Sequence, residues 1–147
     1  MAYEFKARRL VEFSDTDMAG IMHYSNFFRF METAEHAFFR SLGFSIVTDN
    51  VAPPVGWPRV HAQCDFIQPL HFEDEVEIHL LVSSKKSKSI SYIFRFRKLN
   101  AKPEEEVARG SMTVVCVTRQ PDGAMRAASI PKVIADKIEV APAELLA

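Results

Sequence analysis

Asp15, Asp17, Gly20, His23, Tyr24 and Asn26 crowd into one short run, Asp-Thr-Asp-Met-Ala-Gly-Ile-Met-His-Tyr-Ser-Asn, just ahead of an aromatic-rich segment. Carboxylates beside the start of a helix have an obvious chemistry. The first helical turn presents unpaired N–H groups and a partial positive charge, which bind an anion or polarise a carbonyl oxygen. A neighbouring carboxylate can then attack that carbonyl or activate a water against it. Preorganised donors of this kind contribute about 3 to 4 kcal/mol of transition-state stabilisation. The same residue types also build ordinary caps and turns, and spacing alone favours that plainer reading for any single one of them.

To position such a group, a helix must begin just after it. One is predicted from Ser25 to Leu42, with Phe27, Met31, Ala34, Phe38 and Leu42 on one stripe and Arg29, Thr33, His36 and Arg40 opposite. Ser25 or Asn26 can cap its first turn, and Gly43 can close its end. Before it, residues 3–13 alternate, with Tyr3, Phe5, Ala7, Val11 and Phe13 on one side, as in a half-buried strand. After it, TDNVAPPVGWP cannot be regular helix and is expected to form a surface excursion or lid.

Four further strands are expected: Val60 to Ile67, Val76 to Ser83, Ile90 to Arg97 and Val107 to Thr118. SSKKSKS reads as a hairpin tip, AKPEEE as a second connection, RQPDGA as the end of the last strand, and IPKVIADKI as a short C-terminal helix. A single apolar-faced helix and an antiparallel sheet cover each other when the sheet curls around the helix, so the expected class is α+β. We find no linker or repeat, and expect one domain over residues 1–147. Uncovered sheet edges make a homo-oligomer, dimer or tetramer, the expected state.

Composition narrows the function classes. With 147 residues, 48% hydrophobic and 12 of them phenylalanine, the chain can bury a core and is not a disordered segment. A net charge of -1 gives no global attraction to nucleic acid or to an anionic membrane, so neither is an expected partner. The N-terminus lacks a signal-peptide h-region, and no apolar run approaches the roughly 20 residues that span a bilayer, so a soluble, cytoplasmic protein is expected. Cys64 and Cys116 stand far apart with no Cys-x-x-Cys or Cys/His cluster. Neither a disulfide nor a metal site is expected, and both thiols read as buried.

The run from Asp17 through Gly20, His23, Tyr24 and Asn26 to Phe27, continuing over Arg29, Phe30, Met31 and Glu32, resembles the signature of hotdog-fold acyl-CoA thioesterases. More narrowly it is similar to the 4-hydroxybenzoyl-CoA thioesterase and YbgC-like branch. QCDFIQPLHFEDEVEI resembles that family's second and third strands, and IPKVI its C-terminal end. The resemblance implies an antiparallel five-stranded sheet wrapped around one long central helix. It also implies Asp17 as the catalytic carboxylate, since the second aspartate has the matching spacing to Gly20 and Tyr24, and leaves Asp15 as a structural loop residue. Tyr24 would offer its backbone N–H to the thioester oxygen, and Gly20 would allow a tight loop and close ligand approach. Asn26 either fixes the loop by hydrogen bonds or caps the helix. His23 has the chemistry of a general base, but a histidine beside a helix start more often lines a pocket.

Glu32 and Glu35 rank second for the catalytic carboxylate, because another hotdog branch carries its carboxylate on the central helix. Lys85, Lys86 and Lys88 are the candidate cations for the phosphates of coenzyme A. Phe28, Phe39, Trp57 and Phe66 are candidates for an acyl channel, with Pro53, Pro54 and Trp57 placed to set selectivity. The implied reaction is hydrolysis of an acyl-CoA thioester, with aspartate as nucleophile or as general base toward water. Neither route calls for a metal or redox cofactor, since coenzyme A belongs to the substrate and product. Two other readings compete: a non-catalytic acyl-CoA-binding protein, and a thioesterase acting on acyl carrier protein substrates. A hotdog dehydratase ranks low, because no His-Phe-Pro-Gly-like motif occurs.

Overall fold

A computed structural model describes all residues, 1–147. The long helix, α1 (Ser25–Ser41), forms where its periodicity places it, and buries Phe27, Phe30, Met31, Ala34, Phe38 and Phe39. Gly43 closes it at φ 90°, a left-handed conformation that a residue without Cβ adopts at no steric cost. The N-terminal cap differs from expectation. Tyr24 occupies the cap position with helical angles, and no side chain caps the turn. Ser25 and Asn26 are drawn instead into bonds with the preceding loop.

Strands β1 (Glu4–Leu10), β2 (Arg59–Phe66), β3 (Glu75–Lys85), β4 (Ser89–Lys98) and β5 (Glu105–Val115) make one antiparallel sheet in the order β1-β3-β4-β5-β2. The alternation of β3 and β4 decides its inner face: Val76, Ile78, Leu80 and Val82, with Ile90, Tyr92, Phe94 and Phe96, are all at 0% exposure. That face curls over α1, which gives the expected sheet around a helix. Gly110 of β5 lies against the Met31 side chain of α1. A Cβ built on Gly110 would stand 2.4 Å from Met31 Sδ, so the helix seats there only because the strand has no side chain.

Four expectations need correction. Phe13 leaves the strand for a short 3-10 turn, Phe13–Asp15, and is 78% exposed, because the chain must bend there toward the helix. The last strand ends at Val115, and RQPDGA is the turn of a separate hairpin, β6 (Val117–Arg119) with β7 (Met125–Ala127). As expected of a segment beside what precedes it, the excursion over residues 48–58 packs against the far end of α1, where Trp57 meets Phe39 edge to face. Cys64 is half-buried rather than buried, while Cys116 is buried as expected. The C-terminal helix shortens to α2 (Lys132–Ala135), followed by one turn, α3 (Ala143–Leu146). No helix is long and apolar enough to cross a membrane.

Candidate active site

The loop between β1 and α1 is built by its own side chains. Asp15 accepts the Glu12 N–H at 2.9 Å through Oδ2, and its carbonyl accepts both the His23 N–H and Asn26 Nδ2, each at 2.8 Å. Asp15 is therefore the structural aspartate, and Asn26 fixes the loop rather than capping the helix. Thr16 bridges Met22, and the Asp17 N–H donates to the Ile21 carbonyl at 3.0 Å, so residues 17–21 form a tight return. Gly20 turns it at φ 80°, with open space where a side chain would stand.

Asp17 sits at the tip of this return and is exposed. Its Oδ1 accepts the Ala19 N–H at 2.8 Å, a local bond that orients the carboxylate and leaves Oδ2 free. It borders a cavity of about 420 Å³, which runs down to Met22, Phe27 and Phe66. Aromatic edges form its wall: Phe66 meets Tyr24 at 6.5 Å and Phe27 at 5.1 Å between ring centres, both nearly perpendicular, and Phe27 meets Phe96 at 5.3 Å. Beyond Asp17, Gln68 is the polar side chain on this wall. The Tyr24 N–H, at the mouth of the helix, donates to no acceptor. Asp17 and Tyr24 thus line one largely apolar cavity at the start of α1, where the Tyr24 N–H has no backbone acceptor; a carboxylate beside an unpaired N–H is what a polarised carbonyl needs. A second cavity, about 540 Å³ and shallower, lies on the other side of Asp17 between Phe13, Met18 and Phe72.

The remaining candidates lie elsewhere. His23 is half-buried, does not line either cavity, and shares its Nδ1 with the Ser25 hydroxyl at 2.8 Å. Glu32 points outward, 54% exposed and 3.9 Å from His36. Glu35 lies ten residues into α1, about 15 Å from its start, and is fully buried in an ion pair with Arg59. Lys85 donates from Nζ to the carbonyls of Ala135 and Ile138, at 2.9 and 2.7 Å, so it holds the end of α2. Lys86 and Lys88 are exposed at the β3–β4 tip, and β3, 11 residues long, separates them from the aspartate loop by roughly 30 Å within one chain. Trp57 lines a separate cavity of about 440 Å³ with Pro54, Arg119 and Met125.

Of the aromatic candidates only Phe66 reaches the Asp17 cavity. Sequence reasoning missed Phe27 as a wall, having assigned it to the core, and missed Ile67, Gln68 and Pro69. The signal for Phe27 was its place one turn after Tyr24; the others belong to a connection whose path only the fold defines.

Comparison with known proteins agrees with this fold. Residues 11–138 match the family model of the thioesterase-like superfamily. A putative esterase of Aquifex aeolicus is 31% identical over 137 residues, spanning 92% of this chain and 98% of that protein. A 1,4-dihydroxy-2-naphthoyl-CoA hydrolase of Prochlorococcus marinus is 32% identical over 97 residues, 61% of this chain and 64% of that one. A crystal structure of a 4-hydroxybenzoyl-CoA thioesterase mutant bound to 4-hydroxybenzoyl-CoA superposes with a TM-score of 0.83 at 20% identity, over 92% of this chain and 99% of that one, which shows the shared fold. By its sheet wrapped around one helix and by the match over most of its length, the chain belongs to the thioesterase-like superfamily of hotdog proteins.

Proposed function

We propose that the protein is an acyl-CoA thioesterase for compact, ring-bearing acyl groups, with Asp17 as its catalytic carboxylate. The observation that carries this reading is that Asp17 and Tyr24, whose N–H has no backbone acceptor, line the same aromatic-walled cavity. The acyl group enters between Phe27 and Phe66, and Gln68 bonds a ring hydroxyl. The thioester oxygen meets the Tyr24 N–H. Asp17 then attacks the carbonyl carbon, the C–S bond breaks, thiolate leaves, and water hydrolyses the resulting anhydride. In the alternative sequence Asp17 takes a proton from water, which attacks directly. A carboxylate is a weak base at neutral pH, which favours the first route. Neither sequence draws on a metal or redox group.

The phosphates of coenzyme A need cations, and the two segments that frame the mouth, residues 11–24 and 66–75, contain no lysine or arginine. A second copy supplies them. The free edges of the sheet are β1 and β2. Lys6, Arg8 and Arg9 on β1 repel their like across a strand pair, whereas β2 carries Arg59 near one end and Asp65 near the other. Antiparallel pairing of β2 with its copy lays the Arg59 end of one chain beside the Phe66 end of the other. Lys88 lies at the Arg59 end, its carbonyl accepting the Cys116 N–H at 2.8 Å. Lys86 and Lys88 of one copy therefore approach the mouth of the other.

The test is thiol release from aromatic, short-chain and long-chain acyl-CoA thioesters by the wild type, Asp17→Asn and Glu32→Gln. Asp17→Asn should fold, bind substrate and lose about 10²- to 10⁴-fold in turnover, while Glu32→Gln retains it. Turnover surviving in Asp17→Asn and lost in Glu32→Gln would move the chemistry to the helix. Binding without turnover by the wild type would leave a carrier of acyl-CoA.

A further inference from the structure

The molecule buries one carboxylate that the proposed reaction does not use. Glu35, at 0% exposure, faces the sheet from α1 and is ion-paired with Arg59, the first residue of β2. Its Oε2 has no hydrogen-bond partner, and neither has the buried hydroxyl of neighbouring Tyr92 on β4. Arg59 donates from Nη1 to the Trp57 carbonyl at 2.9 Å, and Trp57 Nε1 donates to the buried Thr48 hydroxyl at 3.1 Å. A continuous set of polar contacts thus joins the helix, the edge strand and the segment leading into it. Along its length β2 is hydrogen-bonded on one side only, to β5, and all its residues except Cys64 are exposed. The Glu35–Arg59 pair ties the first residue of β2 to the helix, beside the contact of Trp57 with Phe39.

We propose that Glu35 and Arg59 form a proton-operated latch on this strand: the ionised carboxylate holds the start of β2 against α1, and uptake of one proton from solvent frees the guanidinium and loosens residues 57–61. The proton goes to Oε2, the oxygen that Arg59 does not hold, beside the buried Tyr92 hydroxyl. The Arg59 side chain is 30% exposed and has a direct route to water.

Burial raises Glu35 to about 7, against the opposing pull of Arg59, so the change of charge falls near neutrality. The other groups acting on it do not compete there. Glu32 on the same helix pushes it further up. Tyr92 is driven well above its ordinary range by burial and stays neutral. His36, lying against Glu32, Arg59 and Arg40, is held below its ordinary value by burial and stays uncharged near neutrality.

Trp57 is the only tryptophan in the chain and lies two residues from Arg59, so its emission reads the latch directly. In the intact protein, titrated from pH 5 to 9, that emission should show one transition centred near 7. Below it, amides 59–61 should exchange faster relative to those of β4. Glu35→Gln should abolish both changes and hold the emission at its low-pH value throughout, while His36→Asn leaves them in place. Arg59→Gln should abolish them as well, and it keeps the fold because the lone carboxyl simply stays protonated. A flat wild-type titration would sink the latch. So would a transition that persists in Glu35→Gln or, should that variant not fold, in Arg59→Gln.

Discussion

At the scale of single residues, the molecule separates two aspartates and two glutamates by what surrounds them. Asp15 accepts a loop N–H through Oδ2 and holds His23 and Asn26 through its carbonyl, while Asp17 borders the cavity. Glu32 stands in water and Glu35 in the core. Burial of Glu35 has a stability consequence whose sign follows from linkage. Its folded-state value, about 7, lies above the ordinary 4.5, so the folded protein binds this proton more tightly than the unfolded chain. The stabilisation is complete below about pH 4.5 and is lost as pH rises through 7. At about 1.4 kcal/mol per pH unit, the loss is at most about 3 kcal/mol. Urea unfolding at pH 5 and pH 8 should show the wild type weakening by an amount that Glu35→Gln does not share. Equal pH dependence in both proteins would show that Glu35 carries no such cost.

At the scale of elements, the packing of α1 on β5 decides where the loop can stand. Met31 is 1% exposed and fills the space above Gly110, so the helix axis sits as low over the sheet as that glycine allows. Gly110→Ala puts a methyl group into Met31 Sδ, with the Gln63 carbonyl at 3.2 Å blocking escape along the strand. We expect a loss of about 1 to 3 kcal/mol in denaturant unfolding. Met31→Ala opens the space and should cost about 2 to 5 kcal/mol alone. The double variant should then lose less than the sum, because the alanine at 110 occupies part of the vacated volume. Additive losses would mean that the helix shifts rather than packs against this point.

At the scale of the whole molecule, the two segments that frame the mouth in one chain offer no lysine or arginine to the phosphates of the proposed substrate. With pairing along β2, Lys86→Ala and Lys88→Ala should raise KM for coenzyme A thioesters several-fold and flatten its salt dependence. Thioesters of N-acetylcysteamine, which carry no phosphate, should be hydrolysed as before. Sedimentation should find at least a dimer. A monomer of full activity, or equal effects on both substrate types, would remove the lysines from the site. Lys85 belongs to neither group, since it is committed to the carbonyls ending α2.

Periodicity and local chemistry settled much of this from residues alone. The amphipathic stripe from Phe27 to Phe38 marked α1 within a residue or two, and the alternation in β3 and β4 marked the inner face of the sheet, because burial imposes those periods on any chain that folds so. Spacing alone did not single out the loop; the resemblance carried by Asp17, Gly20 and Tyr24 did, and Gly20 does turn left-handed there. Neighbours far apart in sequence were not legible. Only the strand order β1-β3-β4-β5-β2 puts β2 on a free edge and carries Lys86 and Lys88 away from their own loop. Only packing brings Phe66 onto Phe27, and Arg59 onto Glu35 across 24 residues of sequence. Helix and strand periods report which side of an element is buried; what it is buried against depends on how the sheet closes over α1.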